Sequence, residues 1–499
     1  MLDNERMATI QELQERGRAL REQVPRGSQR TWTPAPSRPD PIGLLQEQDK
    51  NRLQHLLPLK YCRMLKSYFS FMRGMAAMMA ADLATTPVTG LQVQLCGDAH
   101  LFNFGVFATP ERKLVFDIND FDETYPGPWE GDLKRLATSA VLAERAKKFD
   151  DEMNRELAMV VSRSYRGAIA SLAGASPLEV WYHDMEIDKV FEIFDMSSLK
   201  ARRSVQKVID KAVENTQERT AEKISEKVGG RRQIRNDPPF LVRLDETVTE
   251  EQKAWITEKD VEKLFKGYLA SLPEEKRQLM SHFRLSSGAM QIAGTSSIGK
   301  HCILFLLEGA AKEDALILQL KEAVPSVLEP YVAGKEYKSQ GQRVLIGQKM
   351  MQAASDIFLS WIDDSSTGIQ YYLRQFKDMK GSFDLDFLDK ESLETYLMVC
   401  SACLARAHAR TGNAACISGY IGKSDTFCEA VTDFAVAYAD QTKRDYLALK
   451  EAVKSGRIEA ENECKKLKFY SLKKKEKSLI SIHLRSPRKI IIPAGEAFL

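Results

Sequence analysis

The sequence predicts an α+β protein, mostly helical, with a smaller region built around a sheet. Long stretches such as Leu53–Leu83, Leu133–Lys147 and Leu393–His408 repeat apolar residues at helical spacing. Residues 284–376 change character: Ile303–Leu307, a turn at Gly309–Asp314, and Leu316–Leu320 read as strand, turn, strand. Residues 91–135 mix short apolar runs with acidic and amide side chains at fixed offsets. At 499 residues, with 43% hydrophobic and 28% charged content, the chain can bury a large core in more than one lobe.

In chain order, Met7–Gln23 is a short charged helix, and a Pro/Ser/Arg-rich extended arm runs from Pro25 to Pro41; together they form an N-terminal arm over 1–50. Residues 51–283 form the helical large lobe. Leu53–Leu83 opens it and ends at Thr85-Thr86-Pro87, and its Met stripe reads as core. Val93–Leu95 and Phe104–Ala108 are short strands flanking a loop, and Leu114–Ile118 is the return strand of a hairpin turning at Thr109–Arg112. Helices follow over Leu133–Lys147, broken near Phe149-Asp150, and Glu152–Ala173. Ser197–Lys227 is a highly charged helical run that, with Gly229–Arg232, forms an exposed insertion over 197–235. A run of this kind is a solvated face rather than a nucleic-acid surface.

Residues 284–380 hold the small sheet lobe. A Gly/Ser loop, Gly294–Gly299, leads into the two strands already named, and Lys321 closes the second. A helix over Gly341–Ser355 and strands over Asp356–Ile362 and Gln370–Phe376 complete it. Residues 381–460 return to helix, and 461–499 are a basic tail.

Composition sets limits on function. A net charge of +3 with interspersed signs does not argue for nucleic acid. Met1–Gln29 lacks the apolar segment of a signal peptide, and no apolar run approaches the roughly 20 residues of a membrane span. The expectation is a cytoplasmic protein without a membrane span. Cys400 and Cys403 form one Cys-x-x-Cys without a second pair, which reads as buried thiols rather than a metal or redox site.

The chemistry lies in Cys96-Gly-Asp98-Ala-His100-Leu-Phe-Asn103 and Asp117-Ile-Asn-Asp120-Phe-Asp122-Glu123. An Asp followed five residues later by an Asn is the spacing of a phosphotransferase catalytic loop. Asp98 would accept the proton of an attacking hydroxyl, and the Asn103 carbonyl oxygen would ligate a metal. The second cluster would supply the carboxylate that holds Mg²⁺ against nucleotide phosphates, with Asp120 and Asp117 as rival ligands. His100 either contacts substrate and orients the loop or is a neutral core histidine. Gly294, Ser297 and Gly299 would form a phosphate loop, with Lys321 as the cation on the phosphates. The plain alternative for Lys321 is a strand-end lysine reaching solvent.

Small-molecule kinases of the aminoglycoside and choline phosphotransferase type carry a similar set: Gly-Asp with Asn five beyond the Asp, a hairpin, Asp-aromatic-acidic, and another Asp twelve residues on. Here these are Gly97-Asp98, Asn103, Asp120-Phe-Asp122 and Asp132-Leu133. The resemblance implies that Asp120 holds the metal and that Asp132 is a buried brace for the catalytic loop. The interval from Asn103 to Asp120 is longer than in those kinases, which keeps Asp117 in contention.

From about residue 68 to about 445 the chain resembles more closely the bacterial family termed domain of unknown function 2252. The matching stretches include Phe69–Gly74, Gly97–His100, Asn119–Glu123, Asp132–Leu136, Ala293–Gly299, Gln319–Ala323, Gln348–Gln352, Arg374–Met379 and Leu404–Arg410. That resemblance implies a protein-kinase-like two-lobed fold and supplies no substrate. Base and metal residues precede the phosphate loop and its Lys by about two hundred residues, the reverse of ordinary kinases, so the implied fold is circularly permuted. The helix ending Leu404–Arg410 would then precede the catalytic loop in space. Two positions depart from the family: Ser296 stands where Gly is usual, and Ile346 stands where an acidic residue commonly precedes Gly-Gln. Without that acid, Lys321 would pair with Glu322, Glu336, Asp117 or Asp120.

The resemblance implies an ATP- and Mg²⁺-dependent phosphotransferase acting on a hydroxyl of an unknown small-molecule or protein acceptor. Nucleotidyl (AMP) transfer is an alternative. So is a pseudokinase, a nucleotide-binding or scaffolding protein without turnover, suggested by Ser296 and Ile346.

Overall fold

Side-chain alternation on one sheet creates the cleft of this protein. The computed structural model describes residues 8–145, 151–193, 199–244, 258–311, 314–381, 383, 385 and 388–461. The chain divides into units 1–464 and 465–499; the basic tail and the break expected near Phe149-Asp150 lie outside the described residues. The described strands are β1 (Gln92–Leu95), β2 (Phe104–Ala108), β3 (Leu114–Ile118), β4 (Tyr125–Pro128), β5 (Ser225–Val228), β6 (Arg231–Ile234), β7 (Leu241–Arg243), β8 (Arg284–Gln291), β9 (Cys302–Glu308), β10 (Ala315–Glu322), β11 (Ser360–Asp364) and β12 (Ile369–Gln375).

Six of these strands form an antiparallel sheet in the order β11-β12-β10-β9-β8-β7. The near-continuous apolar runs of β9 and β10 make them its centre, buried on both faces. Ile303, Phe305, Leu307, Leu316, Leu318 and Leu320 point one way and pack with Val261, Leu264, Phe265 and Tyr268 of the helix Glu258–Ser271. Fully burying each such side chain contributes about 1.5–3 kcal/mol. Because strand side chains alternate, Gln319 and Lys321 of β10 point the other way, as do Gln291 of β8 and Arg374 of β12. One face of the sheet is therefore largely apolar, while the other carries Gln319 and Lys321 next to buried Leu304, Leu306 and Ile317.

The larger, helical part packs Glu130–Arg145, Asp151–Leu172, Lys390–Thr411 and Thr426–Lys454 around Trp129, Tyr165, Leu397, Leu404, Phe427 and Phe434. The rings of Trp129 and Tyr165 stack with centroids 5.7 Å apart. The pairs β1–β4 and β2–β3 sit on this body, and β5–β6 is a separate hairpin turning at Gly229-Gly230. No helix among the described residues is long and apolar enough to cross a membrane.

Several boundaries differ from the sequence reading. Leu53–Leu83 is three helices, Leu57–Met64, Tyr68–Gly74 and Ala76–Leu83, because Ser67 turns its hydroxyl to the Ser70 amide (3.0 Å) and caps a new start. The helix expected over Gly341–Ser355 is Gln340–Met351. The N-terminal arm is not simply extended. It contains the helix Pro41–Asp49, capped by Asp40, and Arg38 is buried between Asp82 and Asp445 at 2.9 and 2.6 Å. The charged run at 199–224 is also not wholly solvated, since Val208 and Ala212 join the main core.

Candidate functional site

The loop after β1 is held from behind. Gly97 adopts φ +79°, and a Cβ there would collide with the Glu123 carbonyl, so the position requires glycine. Asp132, in the first turn of the helix Glu130–Arg145, accepts the amides of Cys96 (2.6 Å) and Gly97 (3.0 Å). His408 places Nε2 3.4 Å from the same carboxylate and Nδ1 2.8 Å from the Tyr165 hydroxyl. Asp132 thus occupies the bracing place that the kinase resemblance implied.

This brace presents Asp98. Arg135 Nε lies 2.8 Å from Asp98 Oδ1, and its Nη2 also donates to that oxygen. Burial opposes ionisation, yet Arg135, with Arg73 further off, holds the carboxyl below the usual range. His100 Nε2 is 3.5 Å from Asp98 Oδ2, and its buried Nδ1 has no partner among the described residues. Burial pushes His100 down to about 3, so it is a neutral imidazole. Arg73 completes the group, stacked over Phe102 at 5.0 Å, its Nε without a partner among the described residues.

Asn103 and Asp120 are tied together. The Asn103 side-chain Nδ2 donates to the Asp120 backbone carbonyl (2.9 Å), and the Asn119 backbone amide donates to the Asn103 backbone carbonyl (2.9 Å). Asn103 Oδ1 is then a buried oxygen without a donor among the described residues, and the carboxylate of Asp120, whose backbone carbonyl the same side chain binds, is half exposed. That pair fits a hard divalent cation. Among the described residues no three His, Cys, Asp or Glu side chains gather as a protein-only cage, whereas Mg²⁺ ordinarily takes one or two protein oxygens with phosphate and water.

Asp117 does not belong to this site. Alternation on β3 turns it toward the helix Lys390–Thr411, where its Oδ1 accepts Arg406 Nη2 (2.6 Å), Cys403 Sγ (3.3 Å) and the Ile118 amide (2.8 Å). The rival-ligand expectation is corrected: Asp117 is half of a buried ion pair. Cys400 and Cys403 are free, buried thiols.

Lys321 reaches across from the sheet. Its ammonium lies 2.8 and 2.9 Å from the two oxygens of Asp122 and 3.6 Å from Asp120, and Tyr372 donates its hydroxyl to Asp122 (2.5 Å). Despite burial, Asp120 and Asp122 raise Lys321 well above the ordinary lysine value; Asp122 is held far below the carboxylate range in turn. The partner is therefore chiefly Asp122, which the sequence reading did not name. Glu322 is occupied by the His301 ring (2.8 Å), and Glu336 is exposed. Ile346 has no acidic substitute on its helix. Instead Arg343, fully buried one turn earlier, donates to the carbonyls of Thr124 (2.6 Å), Asp122 (2.8 Å) and Val324 (2.8 Å).

The Gly/Ser loop is pinned rather than loose. Gly294 and Gly299 have φ of +76° and +86°, and Ser297 Oγ donates to the Ala293 carbonyl (2.8 Å). Arg63 donates to the Gly294 carbonyl; Arg52 donates to those of Ser296 and Ile298, both at 2.7 Å. Lys300 follows the loop and has no carboxylate within 4.0 Å among the described residues; burial, with Arg52 nearby, lowers it below the ordinary lysine range. A cavity of about 540 Å³ opens beneath the Gln319 face of the sheet, lined by Gly294, Ser297, Lys321 and Asp120. A smaller space of about 30 Å³ holds Asp98, Arg52, Arg73 and Lys300, and Asp120 lines both.

Gly294, Ser297 and Lys321 thus line the larger cavity and Asp98 the smaller one, with Asp120 on both; His100 and Asn103 lie behind Asp98 and Asp120, Gly299 ends the pinned loop, and Asp117 belongs to neither space. Asp122, Arg135, Arg73, Arg52 and Lys300 belong to the site but were not assigned from sequence. Arg135 and Lys300 carried a weak signal, one turn after Asp132 and directly after Gly299. Arg73 lay in the family-like stretch Phe69–Gly74 without a role, and Arg52 carried no signal, because only the tertiary fold brings them in.

Residues 52–452 match the family described as "Uncharacterized protein conserved in bacteria (DUF2252)". The chain belongs to this family. No curated protein and no solved structure matches it. The DUF2252 match begins at Arg52, the residue that pins the Gly/Ser loop, and takes in every site residue named above.

Proposed function

We propose that this chain is an ATP- and Mg²⁺-dependent phosphotransferase with a circularly permuted, protein-kinase-like two-lobed fold. The observation that carries the proposal is the contact of Lys321 with Asp122 and with Asp120, whose carbonyl the Asn103 side chain binds. Side chains about two hundred residues apart would then supply the cation and the metal-holding oxygens of a single phosphate site. The order of parts in the sheet lobe agrees. A strand, a Gly/Ser loop, a second strand, a third strand with Lys and then a helix is the kinase order. The permutation is supported where the helix Lys390–Thr411 ends: Thr411 Oγ1 accepts the Gln94 amide (3.0 Å), so this helix runs up to the strand that enters the catalytic loop.

Asn103 Oδ1 and Asp120 would hold Mg²⁺, which neutralises phosphate charge when bound. Lys321 would clamp the phosphates, freed from Asp122 to the extent that phosphate oxygens replace it. Arg135 positions Asp98 and keeps it ionised, so Asp98 orients the acceptor hydroxyl by accepting its hydrogen bond. A loose phosphoryl-transfer transition state asks for little base strength. Neutral His100 buttresses that carboxylate.

A second reading, nucleotide binding without turnover, draws on the same Arg135–Asp98 pair, which depresses the basicity of the one candidate base. Incubation with γ- and α-labelled ATP plus cell extract separates the cases. Movement of the γ label onto a hydroxyl supports phosphotransfer, and movement of the α label replaces it with nucleotidyl transfer. Bound nucleotide with neither label moving leaves the scaffold, and no nucleotide binding at all overturns the proposal.

A further inference from the structure

The cavity carries more positive charge than Lys321 accounts for. Arg374 stands opposite Gln319 in the register of β10 and β12, two residues along the strand from Lys321, about 7 Å. Its guanidinium is oriented by neutral acceptors: Nε donates to Gln319 Oε1 (3.0 Å) and Nη1 to the Asn119 carbonyl (3.1 Å), while Gln291 Oε1 fixes the Gln319 amide (2.8 Å). Lys380 lines the same cavity from the segment after β12. Its backbone is anchored, since Gly381 exchanges two hydrogen bonds with Val106 (2.8 and 2.9 Å).

Among the described residues neither Arg374 nor Lys380 has a carboxylate within 4.0 Å. The acids close by are committed elsewhere. Asp356 accepts the amides of Phe358 and Gln375, Asp378 pairs with Arg112, and Asp120 faces Lys321. Despite its burial, Arg374 is raised by Tyr372 and by Asp120 and Asp122, the two carboxylates acting from beyond ion-pair distance, whereas Lys380 is lowered; an anion entering the cavity relieves the cost of burying that ammonium. Burial and the neighbouring Arg374 lower Lys380 to about 7, as expected of an uncompensated ammonium.

We propose that Arg374 and Lys380 form a second phosphate subsite, beside the one at Lys321 and within the same cavity. A guanidinium pre-oriented on neutral oxygens offers its remaining N–H groups to a phosphate, and Lys380 adds a point charge. The phosphate has two sources, the chain of the bound nucleotide or a phosphate carried by the acceptor. Only that choice rests on the phosphotransferase reading; the subsite itself does not.

Calorimetric titration of the full chain tests this, comparing wild type with Lys380→Met and with the charge-retaining Arg374→Lys. The probes are adenosine, AMP, ADP, ATP and pyrophosphate, with the urea midpoint recorded to show that each variant is folded. If the nucleotide supplies the phosphate, Lys380→Met weakens ADP and ATP by about tenfold and leaves adenosine unchanged, while Arg374→Lys loses less. If the acceptor supplies it, nucleotide affinity is unchanged and pyrophosphate binding to the nucleotide-saturated protein is lost. Pyrophosphate binding that depends on Lys380, in a protein that binds no nucleotide, keeps the subsite and removes the phosphotransferase reading. Equal binding of every anion by wild type and Lys380→Met, or binding by neither, overturns the subsite.

Discussion

Replacing Arg406 with leucine tests the assignment of Asp117 as structural. The two side chains meet at 2.6 Å with 1% and 3% of their surface exposed, so neither charge is solvated. Arg406→Leu leaves the Asp117 carboxyl with the Cys403 thiol and one backbone amide, and removing one partner of a buried pair costs about 3–5 kcal/mol. The Arg406 contacts to the carbonyls of Met351 (3.2 Å) and His183 (3.4 Å) disappear as well. In the double variant Asp117→Leu/Arg406→Leu no charge remains buried, so most of the loss should return. Urea unfolding followed by circular dichroism, with and without Mg·ATP, reads both quantities. A loss under about 0.5 kcal/mol in Arg406→Leu would refute the assignment. So would a double variant as unstable as the single one.

Three further outcomes follow from the same geometry. Gly97→Ala forces a side chain into a left-handed position against the Glu123 carbonyl and should lower the unfolding midpoint more than Gly90→Ala, where φ is also positive (+78°) but the space is open; equal effects would show that the close approach is unimportant. His100 binds its proton near pH 3 folded and near 6.5 unfolded, so its contribution is fully present above pH 6.5 and is lost as pH falls toward 3, at up to about 1.4 kcal/mol per unit. His100→Asn should flatten the stability profile between pH 6 and about 4, and an unchanged slope would contradict a buried neutral imidazole. Arg343→Met leaves three buried carbonyls short of a donor and should destabilise by about 2 kcal/mol or more in urea; a midpoint shift near zero would mean that the helix Gln340–Met351 does not depend on this anchor.

Much of the site was legible because it is local. Asp98 and Asn103 lie on one loop, and their offset, the hairpin after them and the Asp132 brace are all set within forty residues. Strand periodicity likewise put Lys321 on the face opposite Leu320, but periodicity cannot say which face meets the cleft. That is why Lys321 could be read either as a clamp or as a solvent-facing strand end. It also explains Asp117: β3 alternation is visible in the sequence, whereas the arrival of Arg406 on its far side is not. Choosing Asp122 over Asp120 as the main partner of Lys321 depended on a two-residue turn, too short for any periodic signal. Arg52, Arg73 and Arg374 enter through tertiary packing, and no sequence spacing relates them to Asp98. The strand β4 was missed because Tyr125-Pro-Gly-Pro128 reads as a turn; pairing with β1, with Gly127 opposite Val93, makes it a strand.

The central claim is that Asn103, Asp120 and Lys321 hold a metal–nucleotide complex, and ligand-induced stabilisation tests it most directly. Melting of the full chain should be followed with ATP alone and with Mg·ATP, in wild type, Asp98→Ala and Asp120→Ala. A ligand at one hundred times its Kd stabilises by about 2.7 kcal/mol, well within reach of the assay. The account predicts a larger rise with Mg·ATP than with ATP in wild type and in Asp98→Ala, and loss of that metal-dependent increment in Asp120→Ala. An increment that survives Asp120→Ala, or no rise in wild type at millimolar nucleotide, would contradict it.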